Sequence, residues 1–125
     1  MAASAAACPF CQPAQLVTQN NLAYAVYDKH PVTPGHALIV PYRHVANYFD
    51  TTQAEKLTLL SMIDTMKTIL DAKFQPAGYN IGVNIGAAAG QTIMHVHIHL
   101  IPRYHGDMER PTGGVRGVIP KKQSY

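Results

Sequence analysis

Residues 95–103 read HVHIHLIPR, with His95, His97 and His99 alternating with Val96, Ile98 and Leu100. Alternate positions on an extended strand share a face. Three imidazoles therefore point one way and three aliphatic side chains the other, into a core. Adjacent histidines on such a strand lie about 7 Å apart and the outer two about 13 Å. With metal–nitrogen bonds of about 2.0 Å, an adjacent pair can share an ion but all three cannot easily do so. Imidazole has a second use. Neutral, it is a good nucleophile towards phosphorus; protonated, it neutralises phosphate oxygens and can give a proton to a leaving group. A merely polar strand face has little reason to repeat imidazole three times beside a small-residue loop, GAAAGQ at 86–91. The residues leave two uses open, a metal site and a surface for phosphate chemistry.

Other residues offer related chemistry. The chain has 2 cysteines, Cys8 and Cys11, in CPFC. In a cytosolic chain this spacing is more often a metal or redox pair than a structural disulfide. With His44 and His95 they make up the ligand types of a structural zinc. The bland alternative is a free, reduced pair with His44 on a turn. His36 is either an active-site donor or a core histidine in an apolar strand. Asp28 follows a strand, where a carboxylate could accept hydrogen bonds from two adjacent hydroxyls or form a turn ahead of KHP. Small residues at 86–90, Gly90 among them, let backbone N–H groups approach an anion closely. His30 and His105 stand in loop-like context and read as solvated. Arg103, Arg110, Arg116, Lys121 and Lys122 could steer an anion but are more often simply solvated.

GQTIMHVHIHLIPR (90–103) resembles the signature of the histidine-triad family of nucleotide hydrolases and transferases. TPGHALIVPYRH (33–44) resembles that family's Pro-Gly-His strand motif. NIGAAAGQT (84–92) resembles its phosphate loop, and CPFC the zinc-binding start of a bacterial branch. The resemblance runs from about Cys8 to Arg103. It implies a small two-fold homodimer with a five-stranded antiparallel sheet per subunit. It implies that His97 is the nucleophile, attacking the α-phosphorus of a purine nucleotide derivative to form a nucleotidyl-histidine intermediate. His99 and His36 would flank the phosphate. Asn84, Gln91 and Thr92, with Gly90, would hold the phosphate or its leaving group, and Asp28 the ribose hydroxyls. Cys8, Cys11, His44 and His95 would hold a structural zinc, and no catalytic metal would be required. Dinucleoside polyphosphates and nucleoside phosphoramidates fit equally well as substrates. Two rivals stand beside this reading. One is a non-catalytic nucleotide- or partner-binding module on the same fold. The other is a metallohydrolase using His97 and His99 as ligands, for which no suitable carboxylate lies beside them.

These residues need elements to hold them. Residues 22–27 and 36–40 are rich in strand formers, joined by the loop HPVTPG, with Pro41 ending the second strand. Thr52 and Glu55 have capping-box spacing at the start of a helix over 52–73. Leu57, Leu60, Ile63, Met66 and Leu70 recur at three- or four-residue steps and read as its core or subunit face. Residues 79–85 alternate as a half-buried strand, and the histidine strand runs over 92–101, stopped by Pro102. Short strands with one long helix predict an α+β fold with a mainly antiparallel sheet.

The chain has 125 residues, which suits one domain over 8–125, after an Ala-rich lead at 1–7 and with a C-terminal tail from about 106 that covers a sheet edge or crosses to a partner subunit. Its hydrophobic fraction of 47% supports an ordinary core. The net charge of +3 is mild and its cations are scattered, which argues against a nucleic-acid groove. No apolar run approaches the roughly 20 residues of a membrane span, and the lead lacks the basic and apolar regions of a signal peptide. The expected location is cytoplasmic.

Overall fold

The structure, a computed structural model, describes residues 7–125; the expected lead at 1–7 lies outside them except for Ala7. Five strands form one antiparallel sheet. They are β1 (Thr18–Gln19), β2 (Ala23–Tyr27), β3 (Ala37–Pro41), β4 (Gly78–Val83) and β5 (Ile98–Arg103), in the order β1-β2-β3-β5-β4. One helix, α1 (Gln53–Phe74), crosses one face of the sheet. The α+β expectation and the five-stranded sheet hold.

Side-chain alternation divides the sheet into two faces. Ala23 and Ala25 of β2, Ala37 and Ile39 of β3, and Ile98 and Leu100 of β5 pack against Leu59, Met62, Ile63, Met66 and Leu70 of α1. Burying this apolar set is worth about 25 cal/mol for each Å² removed from water. On the other face Tyr24, Leu38 and Val40 form a smaller cluster, covered in part by Phe10 from the N-terminal segment and by Val26 and Tyr42. The small residues Ala23, Ala25 and Ala37 let the helix lie close to the centre of the sheet.

The helix begins where the sequence places it. Thr52 is the N-cap, its side chain accepting from the Glu55 backbone while the Glu55 carboxylate accepts from the Thr52 backbone. Arg43 closes on that carboxylate at 2.8 Å, so the cap also ties the helix to the segment after β3. Glu55 is held below the usual carboxylate range, chiefly by the Arg43 hydrogen bond. Of the expected stripe, Ile63, Met66 and Leu70 are buried in the core and Leu57 and Leu60 are not. Leu57 and Leu60 are 60% and 57% exposed, while Leu59 and Met62 take the inward positions. Both stripes have helical spacing. The sheet meets the one rotated towards Leu59, which periodicity cannot choose.

The boundaries of two strands also move. β5 begins at Ile98, not near 92, because β3 and β4 offer it backbone partners only from that residue onward. Pro102 lies inside β5, paired with Tyr79 of β4. The β3 ladder stops at Leu100, so the N–H that proline lacks has no partner strand to serve on that side. β4 spans Gly78–Val83, two residues short of the expected end at 85. Beyond residue 106 the tail makes short 3-10 turns, and Gly114 approaches Asn80 of β4.

Candidate active site and metal centre

The histidines gather on the face opposite α1. His99 lies on β5 opposite Leu38 of β3 and Gly82 of β4. Leu38 belongs to the cluster on that face, so His99 points away from the helix. Gly82 has no side chain and nothing within 4 Å of where one would start, so space is left beside His99. His36 immediately precedes β3, and Asp28 immediately follows β2. The Asp28 N–H donates to the His36 carbonyl at 2.9 Å and extends their pairing by one step. The turn from 33 to 36 is pinned by Thr33, whose hydroxyl donates to the Pro102 carbonyl at 2.5 Å, and by the Tyr104 hydroxyl on the Pro34 carbonyl at 2.7 Å.

Hydrogen bonds fix the tautomers of three imidazoles. A backbone N–H can only donate, and the Val32 N–H points at His36 Nδ1 at 3.0 Å. His36 therefore carries its proton on Nε2, which donates to His99 Nδ1 at 2.9 Å. Neutral His99 is then protonated on Nε2, an outward donor. A carbonyl can only accept, and the His95 carbonyl lies 2.8 Å from His97 Nδ1. His97 is thus protonated on Nδ1 and keeps its lone pair on Nε2. The His97 and His99 rings stand 5.3 Å apart between centroids. A nitrogen nucleophile and an N–H donor are thereby juxtaposed. Burial pushes the His36 and His99 imidazoles below their ordinary value, and His97 and His36 push His99 further the same way. Asp28 opposes the shift in both.

Asp28 faces this group. One carboxylate oxygen lies 3.5 Å from His36 Nε2, and the other accepts the His30 N–H at 2.8 Å. The turn-forming use and the site-facing use of this residue therefore coexist. Gln91 is buried, and its side chain is spent on backbone. Its amide donates to the Ala46 carbonyl at 2.7 Å and the Ile93 carbonyl at 3.1 Å, while its oxygen accepts the Gly86 N–H at 2.9 Å. It braces the 86–91 loop to the segment after β3. The neighbouring Val45 carbonyl takes the Val96 N–H at 2.8 Å, so residues 45–46 support both the loop and the histidine run. Gly86 and Gly90 adopt φ of +88° and +95°, the left-handed region that admits glycine without strain. Asn84 is half-buried; Gly90 and Thr92 are exposed. Arg103 binds Asp107 at 2.8 Å and Asn80 at 2.7 Å, so its charge closes the turn after β5.

A second cluster lies beside the first. The donor atoms of Cys8, Cys11, His44 and His95 all lie within 4.8 Å of one another. His95 Nδ1 is 3.2 Å from His44 Nδ1 and 3.4 Å from Cys8 Sγ, and Cys11 Sγ is 3.1 Å from His44 Nδ1 and 3.6 Å from His95 Nδ1. A tetrahedral zinc with ordinary bond lengths separates nitrogen pairs by about 3.3 Å and nitrogen–sulfur pairs by about 3.6 Å. The Pro41 carbonyl lies 2.7 Å from His95 Nε2 and places the proton there, leaving Nδ1 free to bind a metal. The four side chains fit a structural zinc. Cys8 and His95 are buried and all four positions are filled by protein, which suits a structural rather than a catalytic ion. His95 belongs to this centre, and His97 and His99 to the other.

Sequence reasoning passes over Phe10. Its ring packs 4.8 Å from the His97 ring and 5.9 Å from the His95 ring. Its place between the two cysteines is the signal that could have found it.

The HIT domain family model matches residues 10–106. A protein of Mycobacterium tuberculosis named AP-4-A phosphorylase is 36% identical over 109 residues, 85% of this chain and 55% of that protein. The asymmetrical bis(5'-nucleosyl)-tetraphosphatase of Schizosaccharomyces pombe is 34% identical over 93 residues, 74% of this chain and 51% of that protein. The chain spans about half the length of these two relatives. A HIT family protein from Bacillus anthracis superposes with a TM-score of 0.77 at 33% identity, covering 83% of this chain and 78% of that one. A zinc-bound histidine triad family protein from Mycobacterium smegmatis gives a TM-score of 0.77 at 27% identity, covering 86% and 82%.

Proposed function

The chain belongs to the HIT domain family, and from that premise we propose that it is a nucleotide hydrolase or transferase whose His97 attacks the α-phosphorus of a purine nucleotide derivative. The observation that carries this reading is the bond from His97 Nδ1 to the His95 carbonyl at 2.8 Å. It leaves Nε2 as the one nitrogen able to attack. As the N–P bond forms, the bond from phosphorus to the leaving group breaks; a polyphosphate departs as its anion, and a leaving nitrogen takes a proton from solvent and departs as the amine. The positive charge that develops on the ring is stabilised by the Nδ1–H bond to the carbonyl. Water then attacks phosphorus and its proton passes to solvent. The nucleoside monophosphate departs and Nε2 recovers its lone pair; another acceptor in place of water gives transfer.

His99 presents its Nε2–H to the phosphate oxygens, and His36 holds it in that tautomer. Asp28 meets the ribose hydroxyls from the rim through the oxygen that the turn leaves open. Asn84 and Thr92 reach the phosphate or leaving group; the N–H groups of Ala89, Gly90 and Gln91 are spent on carbonyls within the loop, so Gly90 acts by its left-handed turn and Gln91 by bracing the loop. Cys8, Cys11, His44 and His95 hold a structural zinc, which takes no part in the reaction. The names of the relatives favour dinucleoside polyphosphates as substrates. The exposed Leu57, Leu60 and Ile81, with β4 at the end of the sheet, supply apolar surface for a two-fold homodimer.

The test is release of AMP from diadenosine tetraphosphate and from an adenosine phosphoramidate by the zinc-loaded protein. We expect release by the wild type and a fall on the order of 10³-fold or more in His97→Ala, with an unchanged circular dichroism spectrum. Equal release by both proteins would remove His97 from the role. Nucleotide binding without turnover in the wild type would favour a binding module.

A further inference from the structure

Phe10 is the residue that joins the two centres. It lies between the cysteines of the metal loop, and its backbone carbonyl accepts the buried Tyr24 hydroxyl at 2.6 Å. The loop is therefore fixed at three points: Cys8, Cys11 and the Phe10 carbonyl. The Phe10 ring then lies 4.8 Å from the His97 ring at a tilt of 48°. His95 makes a second link, since its side chain belongs to the metal cluster and its carbonyl accepts the His97 Nδ1–H.

The hydrogen bond alone is a weak hold on His97. The torsion that turns an imidazole is broad and roughly two-fold. One hydrogen bond of ordinary net strength would leave about a tenth of the rings turned over. A turned ring aims carbon, not the Nε2 lone pair, at the substrate. A flat aromatic ring packed against the imidazole removes much of the room for that motion.

We propose that Phe10 is a positioning residue for His97: the loop closed by Cys8 and Cys11 presses the phenyl ring against the imidazole and keeps Nε2 aimed at phosphorus. The proposal rests on the reading of His97 as nucleophile, but its geometric half does not need turnover. Phe10 then transmits the order of the zinc-binding loop to the reacting nitrogen.

The experiment compares Phe10→Ala and Phe10→Leu with wild type, each at full length and assayed for zinc content. Nitrogen-15 NMR reads the His97 tautomer and ring exchange, and rapid quench measures kcat and KM for AMP release. The expected result is wild-type zinc content in both variants and a KM within about 3-fold. Phe10→Ala should lose about 10-fold in kcat, chiefly because the unpacked ring swings off the line of attack and only in small part because it turns over, and its His97 nitrogens should show exchange. Phe10→Leu should recover part of both signals by refilling the volume. Wild-type kcat and an unchanged His97 spectrum in Phe10→Ala would overturn the proposal. So would loss of zinc from both variants, which would place the role of Phe10 in closing the loop. A raised KM with unchanged kcat would also overturn it, by placing the ring against the nucleotide. A wild type that turns over no nucleotide would count against His97 as nucleophile, while the NMR comparison would still decide the ring's orientation.

Discussion

At the scale of single residues, the histidine run divides by what each neighbour atom can accept or donate. His95 gives Nδ1 to the metal cluster, His97 keeps Nε2 free, and His99 accepts the His36 Nε2–H at its own Nδ1. The alternation in HVHIHL shows that the imidazoles are kept apart from the core. It does not show which nitrogen each presents, because that depends on carbonyls and N–H groups at positions 32, 41 and 95, brought in by folding. The same network predicts a pH effect on stability. Burial lowers the folded-state pKa of His36 and His99, whereas an unfolded histidine titrates near 6.5. The unfolded chain therefore takes up these protons first as pH falls. The contribution to stability is full above about pH 6.5 and is lost as pH drops below it towards the folded values. The thermal midpoint should fall over that window, and His36→Asn should fall less steeply from its own neutral-pH value. Parallel curves for the two proteins would contradict the assignment.

At the scale of elements, the local signals were the legible ones. Thr52 and Glu55 announce the helix start because a capping box is built from side chains three residues apart. The HPVTPG loop and the strands on either side of it were legible for the same reason. Signals that depend on a distant partner were not. Leu57 and Leu60 share the spacing of Ile63, Met66 and Leu70, but the sheet takes Leu59 and Met62 in their place. The start of β5 is set by where β3 and β4 can pair with it, and Pro102 is tolerated there for want of a second neighbour. The corrected stripe makes a test. Met66→Ala should cost about 2–5 kcal/mol in urea unfolding, and Leu57→Ala within about 0.5 kcal/mol at concentrations where the chain is monomeric. On the proposed homodimer, Leu60→Asp should leave the fold intact and lower the mass in solution from two chains to one. Equal costs for Met66 and Leu57 would put the helix the wrong way round, and an unchanged dimer in Leu60→Asp would move the interface elsewhere.

At the scale of the whole molecule, the N-terminal segment, the turn after β3 and the run before β5 meet at one metal cluster. Their positions run from Cys8 to His95, so the cluster ties together segments 87 residues apart. Ligand types were legible in the sequence; closure was not, since it requires the sheet to bring both histidines to the cysteines. Because such a site forms only on folding, its binding energy adds to stability. Purified protein should carry about one zinc per chain, and a strong chelator should lower the thermal midpoint by on the order of 10 °C. Metal-free protein with the same midpoint would exclude a structural ion. On the other side of the histidine run, the site holds a lone pair, a donor and an adjacent space left by Gly82. The most direct measurement of what they do is the intact mass of the protein after a single turnover with diadenosine tetraphosphate, quenched in base to preserve a phosphorus–nitrogen bond. The account predicts a transient gain of one adenylyl group that maps to His97 on digestion. An adduct on another residue, or rapid AMP release with no adduct at any time, would contradict it.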